Sequence, residues 1–172
     1  MTSSPLDNLV RIGKLKAEPP AQAEFDGLVR SGLVRLRDAE NATLSLESRF
    51  DLAYNAAHAL SLAALRWHGY RSENRYLVFQ SLTHTLVLDA AQWRVLDQAH
   101  NKRNLAEYEG DLDVDDALVE ALIRAAQRLP NGLRRSGRWR RADWYRNIAT
   151  LNNRSLTSLP RWAGRIGDYK CK

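Results

Sequence analysis

Apolar positions recur at steps of three and four residues through most of the first 130 positions, the spacing of helices with buried faces. Phe25, Leu28, Val29, Gly32, Leu33 and Leu36 form one stripe and predict a helix from about Ala21 to Glu40. Pro20 suits its start, because a first-turn N–H has no intrahelical partner to lose. Gly27 and Gly32 each weaken this helix by roughly 1 kcal/mol relative to alanine, so one of them is expected to serve close packing.

The longest pattern runs from Leu46 to His68. Leu46, Phe50, Ala53, Ala57, Leu60, Ala64 and Trp67 keep a heptad spacing, while Leu52, Ala56, Ala59 and Ala63 mark a further face. Two apolar faces predict a helix enclosed by neighbours, capped by Ser45 and ended at Gly69 with His68 in the last turn. Tyr76, Phe79, Leu82 and Leu86 suggest a shorter third helix, although Tyr76-Leu77-Val78-Phe79 also suits a strand. A fourth helix is expected from about Ala90 to Tyr108, stopped near Gly110. A fifth, Val114 to Leu129, carries Asp115 and Asp116 in its first turn and the stripe Val114, Leu118, Leu122, Ala125, Ala126 and Leu129. Pro130 and Gly132 are expected to close it. With no convincing strand alternation, no βαβ rhythm and short connections, the pattern predicts an all-α fold. It would be an antiparallel bundle of four to five helices with an irregular basic C-terminal tail.

Charge divides the chain. Residues 131–172 hold 11 Lys/Arg and 2 Asp/Glu, a net of +9, whereas residues 1–130 hold 15 basic and 18 acidic side chains, a net of −3. The expected organisation is a lead-in segment (1–20) with a small Leu6, Leu9, Val10 cluster, a bundle (21–130) and an Arg/Trp-rich tail (131–172). No apolar run approaches the ~18 residues of a membrane span, and no basic-then-apolar leader opens the chain, so a cytoplasmic protein without membrane contact is expected. Cys171 is the single cysteine, and no second thiol or nearby histidine accompanies it. His58, His68, His84 and His100 show no i, i+4 pairing with one another, and Asp111, Asp113, Asp115 and Asp116 lack the glycine and closing glutamate of a calcium loop. No metal or cofactor is expected.

The segment His100-Asn101-Lys102-Arg103-Asn104-Leu105-Ala106-Glu107-Tyr108-Glu109-Gly110 carries the candidate chemistry. Arg103 shares a stripe with Trp93, Leu96, Ala99 and Ala106, so it must snorkel or find a partner. Glu107 stands four residues on, and His100 with Asn104 and Asn104 with Tyr108 are each one turn apart. Arg103-Asn104 near the end of a late helix, followed by an aromatic residue, an acidic turn and a last helix, resembles the HEPN family over most of residues 1–129. The resemblance implies a helical, commonly dimeric protein. Many of its members are metal-independent RNases of toxin–antitoxin or defence systems. Their signature is an arginine, then four to six residues of which the first is often asparagine, then a histidine. The arginine neutralises phosphate and the histidine assists proton transfer across the dimer cleft.

Arg103 matches the family arginine and Asn104 its neighbour, but the histidine is replaced: Tyr108, Glu109 and Gly110 stand five, six and seven positions on, and His100 precedes the motif. A phenol titrating near ~10 is a poor proton shuttle at neutral pH. The chain thus resembles a subgroup with Arg-Asn-x-x-x-Tyr. The implied site is Arg103, Asn104 and Tyr108, and the implied partners are a second copy, RNA and a cognate antitoxin.

Three functional readings stand together: an RNA-associated protein with a degenerate nuclease site, an active endoribonuclease using Tyr108 or His100, and a structural or protein-interaction bundle. In the last, Arg103 and Asn104 simply pair with acidic neighbours. Lys102 with Arg134, Arg135, Arg138, Trp139, Arg140 and Arg141 could add nucleic-acid contacts, since arginines meet phosphates and indoles stack on bases. The alternative expected for the tail is a disordered, non-native extension.

Overall fold

The computed structural model describes residues 4–86, 88–110 and 112–135. The elements are α1 (Pro5–Arg11), β1 (Lys16–Ala17), α2 (Gln22–Ala39), α3 (Leu46–Trp67), β2 (Tyr70–Arg71), α4 (Arg75–Gln80), α5 (Leu82–Thr85), α6 (Ala90–Glu109) and α7 (Asp116–Arg135). An all-α bundle is therefore the fold, as the periodicity predicts. No helix among the described residues is long and apolar enough to cross a membrane.

Helix α3 is the central element. Its two faces are buried along nearly the whole length, from Phe50 to Leu65, and it contacts α2, α4, α5, α6 and α7. Alanines at 53, 56, 57, 59, 63 and 64 are all buried, which lets neighbouring backbones come close on several sides at once. The side chain of Ser45 accepts from the Ser48 N–H, and Gly69 leaves the helix with φ +84°.

Helices α2 and α3 form an antiparallel pair. Phe25 meets Trp67 edge-on at 5.0 Å, Gly32 faces Ala56 and Leu60, and Arg49 donates to the Ala39 carbonyl at 3.0 Å. Gly32 is the glycine that closeness requires: a Cβ there would lie 2.7 Å from Leu60 Cγ and 3.2 Å from the Ala56 oxygen. Gly27 has open space around it. The two are expected to respond oppositely to alanine. Gly27→Ala should stabilise by up to about 1 kcal/mol through helix propensity, and Gly32→Ala should destabilise by about 1–2 kcal/mol as overpacking exceeds that gain. Urea unfolding of both variants is the check, and equal shifts would remove the packing role from Gly32.

Three differences from the sequence expectation have physical causes. The third helix is two, broken at Ser81, whose hydroxyl donates to the Leu77 carbonyl at 2.8 Å; Tyr76-Leu77-Val78-Phe79 is helical, not extended. Helix α7 does not stop at Leu129 but runs through Pro130 to Arg135. Pro130 and Leu133 are both buried, so the apolar stripe continues past the proline, and Gly132 packs beside Leu86. Burial outweighs the lost N–H bond. At its other end α7 begins at Asp116, two residues after the expected Val114, and Asp115 just before it accepts from the Leu118 N–H at 2.7 Å.

The lead-in is also structured. Ser4 and Asp7 form a capping box for α1, and Leu6 and Leu15 are buried with Leu65 and Val78 in a small second core. Lys16 and Ala17 pair antiparallel with Arg71 and Tyr70, a two-residue ladder too short to show as alternation. Arg66, 2% exposed, fastens this segment to α3. It donates to Glu24 at 2.9 Å, to Glu18 at 3.1 Å and to the carbonyls of Glu18 and Pro19 at 3.2 and 3.1 Å.

Candidate anion-binding site

One side of α6 is buried against α3 and α4 through Leu96, Ala99 and His100, which carries Arg103 one turn further along the same seam. Gly110 ends the helix in the left-handed conformation (φ +75°), with its N–H bonded to the Ala106 carbonyl at 2.9 Å. Tyr54, fully buried in the middle of α3, forms the floor beneath this turn. Its ring is met edge-on by Phe79 of α4 at 5.6 Å and lies 6.2 Å from the His100 ring, while Tyr76 stacks on His100 at 5.1 Å.

His100 is held at both ring nitrogens. Asn104 Nδ2 donates to Nε2 at 2.9 Å, which leaves the proton on Nδ1 to donate to the Tyr54 hydroxyl at 2.8 Å. Burial lowers its pKa; Asp97 opposes that shift, and the charges of Arg103 and Arg75 add to it. The imidazole is thus neutral and oriented. His58, a turn beyond Tyr54 on α3 and edge-on to Phe79 at 5.9 Å, has its pKa pushed down to about 4, first by burial and then by the charges of Arg75, Arg103 and His100. The Tyr54 phenol is raised by burial, against the pull of the same two arginines.

Arg103 lies over the Tyr54 ring, its guanidinium carbon 5.2 Å from the centroid. One Nη pairs with Glu107, while its buried Nε has no hydrogen-bond partner. Arg75, from the first turn of α4, also approaches the Tyr54 ring, at 5.9 Å, and donates to the Asn55 side-chain oxygen at 3.1 Å. Two guanidinium groups, one carboxylate, two side-chain amides and two neutral imidazoles are therefore linked by contacts around the buried Tyr54 ring. Such a set can neutralise a phosphate and donate hydrogen bonds to its oxygens.

Of the residues the sequence points to, Arg103 and Asn104 come together here, Asn104 through His100. Tyr108 does not join them: it is 90% exposed, with no hydrogen bond or ring contact among the described residues. Lys102 turns away to pair with Asp113 at 2.9 Å and borders an open apolar shelf with Leu105. Arg134 sits in the last turn of α7, and the Arg135 side chain, Arg138, Trp139, Arg140 and Arg141 lie outside the described residues. Sequence reasoning missed Tyr54 and Arg75. Tyr54 is the i−4 neighbour of His58 on a buried face, a spacing that could have flagged the pair, but nothing in the local pattern joins Arg75 to them. Among the described residues no group of three or more His, Cys, Asp or Glu could hold a metal ion.

Comparison with known proteins finds no matching family model, no matching curated protein and no matching solved structure.

Proposed function

We propose that this protein is an RNA-associated, HEPN-like bundle of toxin–antitoxin or defence type. In this reading it acts as a homodimer, holds RNA phosphate at Arg103 and Asn104, and has a degenerate nuclease site. The observation that carries the reading is Arg103 itself. It is a part-buried arginine, 25% exposed, whose inward Nε is unmatched and whose only ion-pair partner among the described residues is the more exposed Glu107. A buried donor without a partner costs about 1–3 kcal/mol, which a purely structural arginine would be expected to avoid. The reading of the site as degenerate is supported by its proton-transfer groups: His100 has both nitrogens engaged, His58 is a weak base, and Tyr108 stands apart.

RNA binding and cleavage by the full chain and by Arg103→Ala test this. Arg103→Ala is expected to weaken RNA binding by about tenfold, the equivalent of one charge-assisted contact, while changing thermal stability little. Wild-type cleavage should be weak or absent. Unchanged RNA binding in a folded Arg103→Ala protein would sink the proposal. Binding that is instead lost on removing residues 136–172, with a steep salt dependence, would move the activity to the C-terminal arginines.

A further inference from the structure

We infer that Arg75 and Arg103 are a two-cation clamp for the phosphate backbone of RNA, and that Glu107 is its competing carboxylate, displaced from Arg103 when a phosphate enters. The inference rests on the proposed function at Arg103 and extends it to α4 and to the last turn of α6.

Three other buried or half-buried arginines, Arg49, Arg66 and Arg71, show what a structural arginine looks like in this bundle. Arg49 has Glu120 at 2.6 Å, Arg66 has Glu18 and Glu24, and Arg71 has the same two glutamates at 2.7 Å each. Each is matched by at least one carboxylate from another element. Arg75 is built differently: its hydrogen-bonding partners across the helices are neutral, the Asn55 amide at 3.1 Å and the Tyr54 hydroxyl, and no carboxylate pairs with it among the described residues. Arg103 has one carboxylate, on its own helix, at one Nη only. Both guanidinium groups lie within 6 Å of the same ring centroid, at 5.9 and 5.2 Å, so two positive charges approach one buried ring, and Glu107 is the single carboxylate paired with either of them among the described residues. Asp97, the other acidic group near His100, bonds with Tyr76.

That imbalance is felt by the neighbours. Arg75 and Arg103 both disfavour the protonated form of His58, which marks a local positive potential there; at His100 they act against the larger opposing charge of Asp97 and that of Glu107. A phosphate is the ligand chemistry that restores balance here. It offers acceptors to two planar donor forks, and its charge relieves the repulsion between them.

Glu107 is suited to yield. It is 55% exposed against 25% for Arg103, so its carboxylate can return to water when released. The Arg-before-Glu order at i, i+4 is the weaker one, and exposed ion pairs contribute little. The resting pair therefore keeps Arg103 from standing uncompensated without blocking a stronger ligand.

The test uses the full chain and a fluorescein-labelled single-stranded RNA dodecamer, read by anisotropy. The imidazole NMR signals of His58 and His100 give a local readout, with His68 and His84 as remote controls. Arg75→Gln is expected to weaken binding about tenfold and Glu107→Gln to strengthen it about threefold, with circular dichroism unchanged in both. RNA should shift the His58 and His100 signals in wild type and fail to do so in Arg75→Gln. If Arg103→Ala weakens binding and Arg75→Gln does not, the clamp is wrong and the function at Arg103 stands. If Arg103→Ala is silent as well, both fall. Unchanged or weaker binding by Glu107→Gln overturns the competing-carboxylate role; because Glu107 is exposed, that variant tests the idea even if Arg75→Gln fails to fold. Unmoved histidine signals at RNA saturation place the RNA elsewhere and overturn the clamp. Inorganic phosphate that shifts them as strongly at equal phosphate concentration overturns the RNA assignment in favour of a free-phosphate site.

Discussion

Replacing Arg66 by alanine is expected to cost about 3 kcal/mol of folding stability, the low end of what removing one partner from a buried ion pair costs. The side chain is 2% exposed and spends its donors on two carboxylates and on the carbonyls of Glu18, Pro19 and, at 3.5 Å, Tyr70. Alanine leaves the Glu18 and Pro19 carbonyls without that donor and opens a void beneath them. Arg71 keeps its bonds to Glu18 and Glu24, which is why the loss is not larger. Arg66→Lys should recover only part, because one ammonium cannot span the positions of a fork.

Acid makes the same point in wild type. Glu24 has its pKa lowered chiefly by the hydrogen bond from Arg66, and Glu18 chiefly by that from Arg71. Groups depressed in the folded state stabilise above their ordinary value of 4.5, and that contribution is lost as pH falls through the folded value. Arg66→Ala should therefore flatten the stability profile below that pH as well as lowering it. A loss under about 1 kcal/mol in urea, with an unchanged acid limb, would show that the lead-in holds without its clamp.

The second large effect is expected at Phe79, where stability and the candidate site meet. Phe79 is fully buried and touches three of the site's rings: Tyr54 at 5.6 Å, His58 at 5.9 Å and His100 at 6.3 Å. Phe79→Ala should cost about 3–5 kcal/mol through lost transfer energy and the cavity it leaves. Phe79→Leu, which keeps most of the volume, should cost under about 1.5 kcal/mol. Under conditions where Phe79→Ala still folds, the Tyr54 ring loses its lateral support and the Tyr54–His100 bond its fixed geometry. RNA binding should then fall together with the chemical-shift dispersion of the His58 and His100 signals. A destabilised Phe79→Ala with wild-type RNA binding would separate the site from this ring cluster.

Much of the candidate site lies within one helix and was legible for that reason. The Arg103–Glu107 pair and the His100–Asn104 bond both connect residues four apart, and helical geometry alone brings such neighbours together. The same geometry puts Asn104 and Tyr108 one turn apart, yet Tyr108 is exposed because the helix ends at Gly110 and no element among the described residues covers its last turn. Arg75 and Tyr54 could not be foreseen as companions of Arg103. They reach it from α4 and α3 through the packing of three helices, which no short-range pattern encodes.

The sequence by itself determined the existence, type and order of the long helices. The 3.6-residue periodicity, the Ser45 cap and the glycines at 69 and 110 act within a few residues of where they stand. Tertiary structure decided everything that depended on burial against a distant segment. Pro130 stays inside α7 because Leu133 beyond it is buried, and the lead-in folds because Arg66 and the small core around Leu65 and Val78 receive it. Two arginines approach one tyrosine ring because α3, α4 and α6 meet there. Local preferences of about 1 kcal/mol or less per residue set the elements, but burying a large side chain contributes about 1.5–3 kcal/mol, and where the two conflict burial prevails.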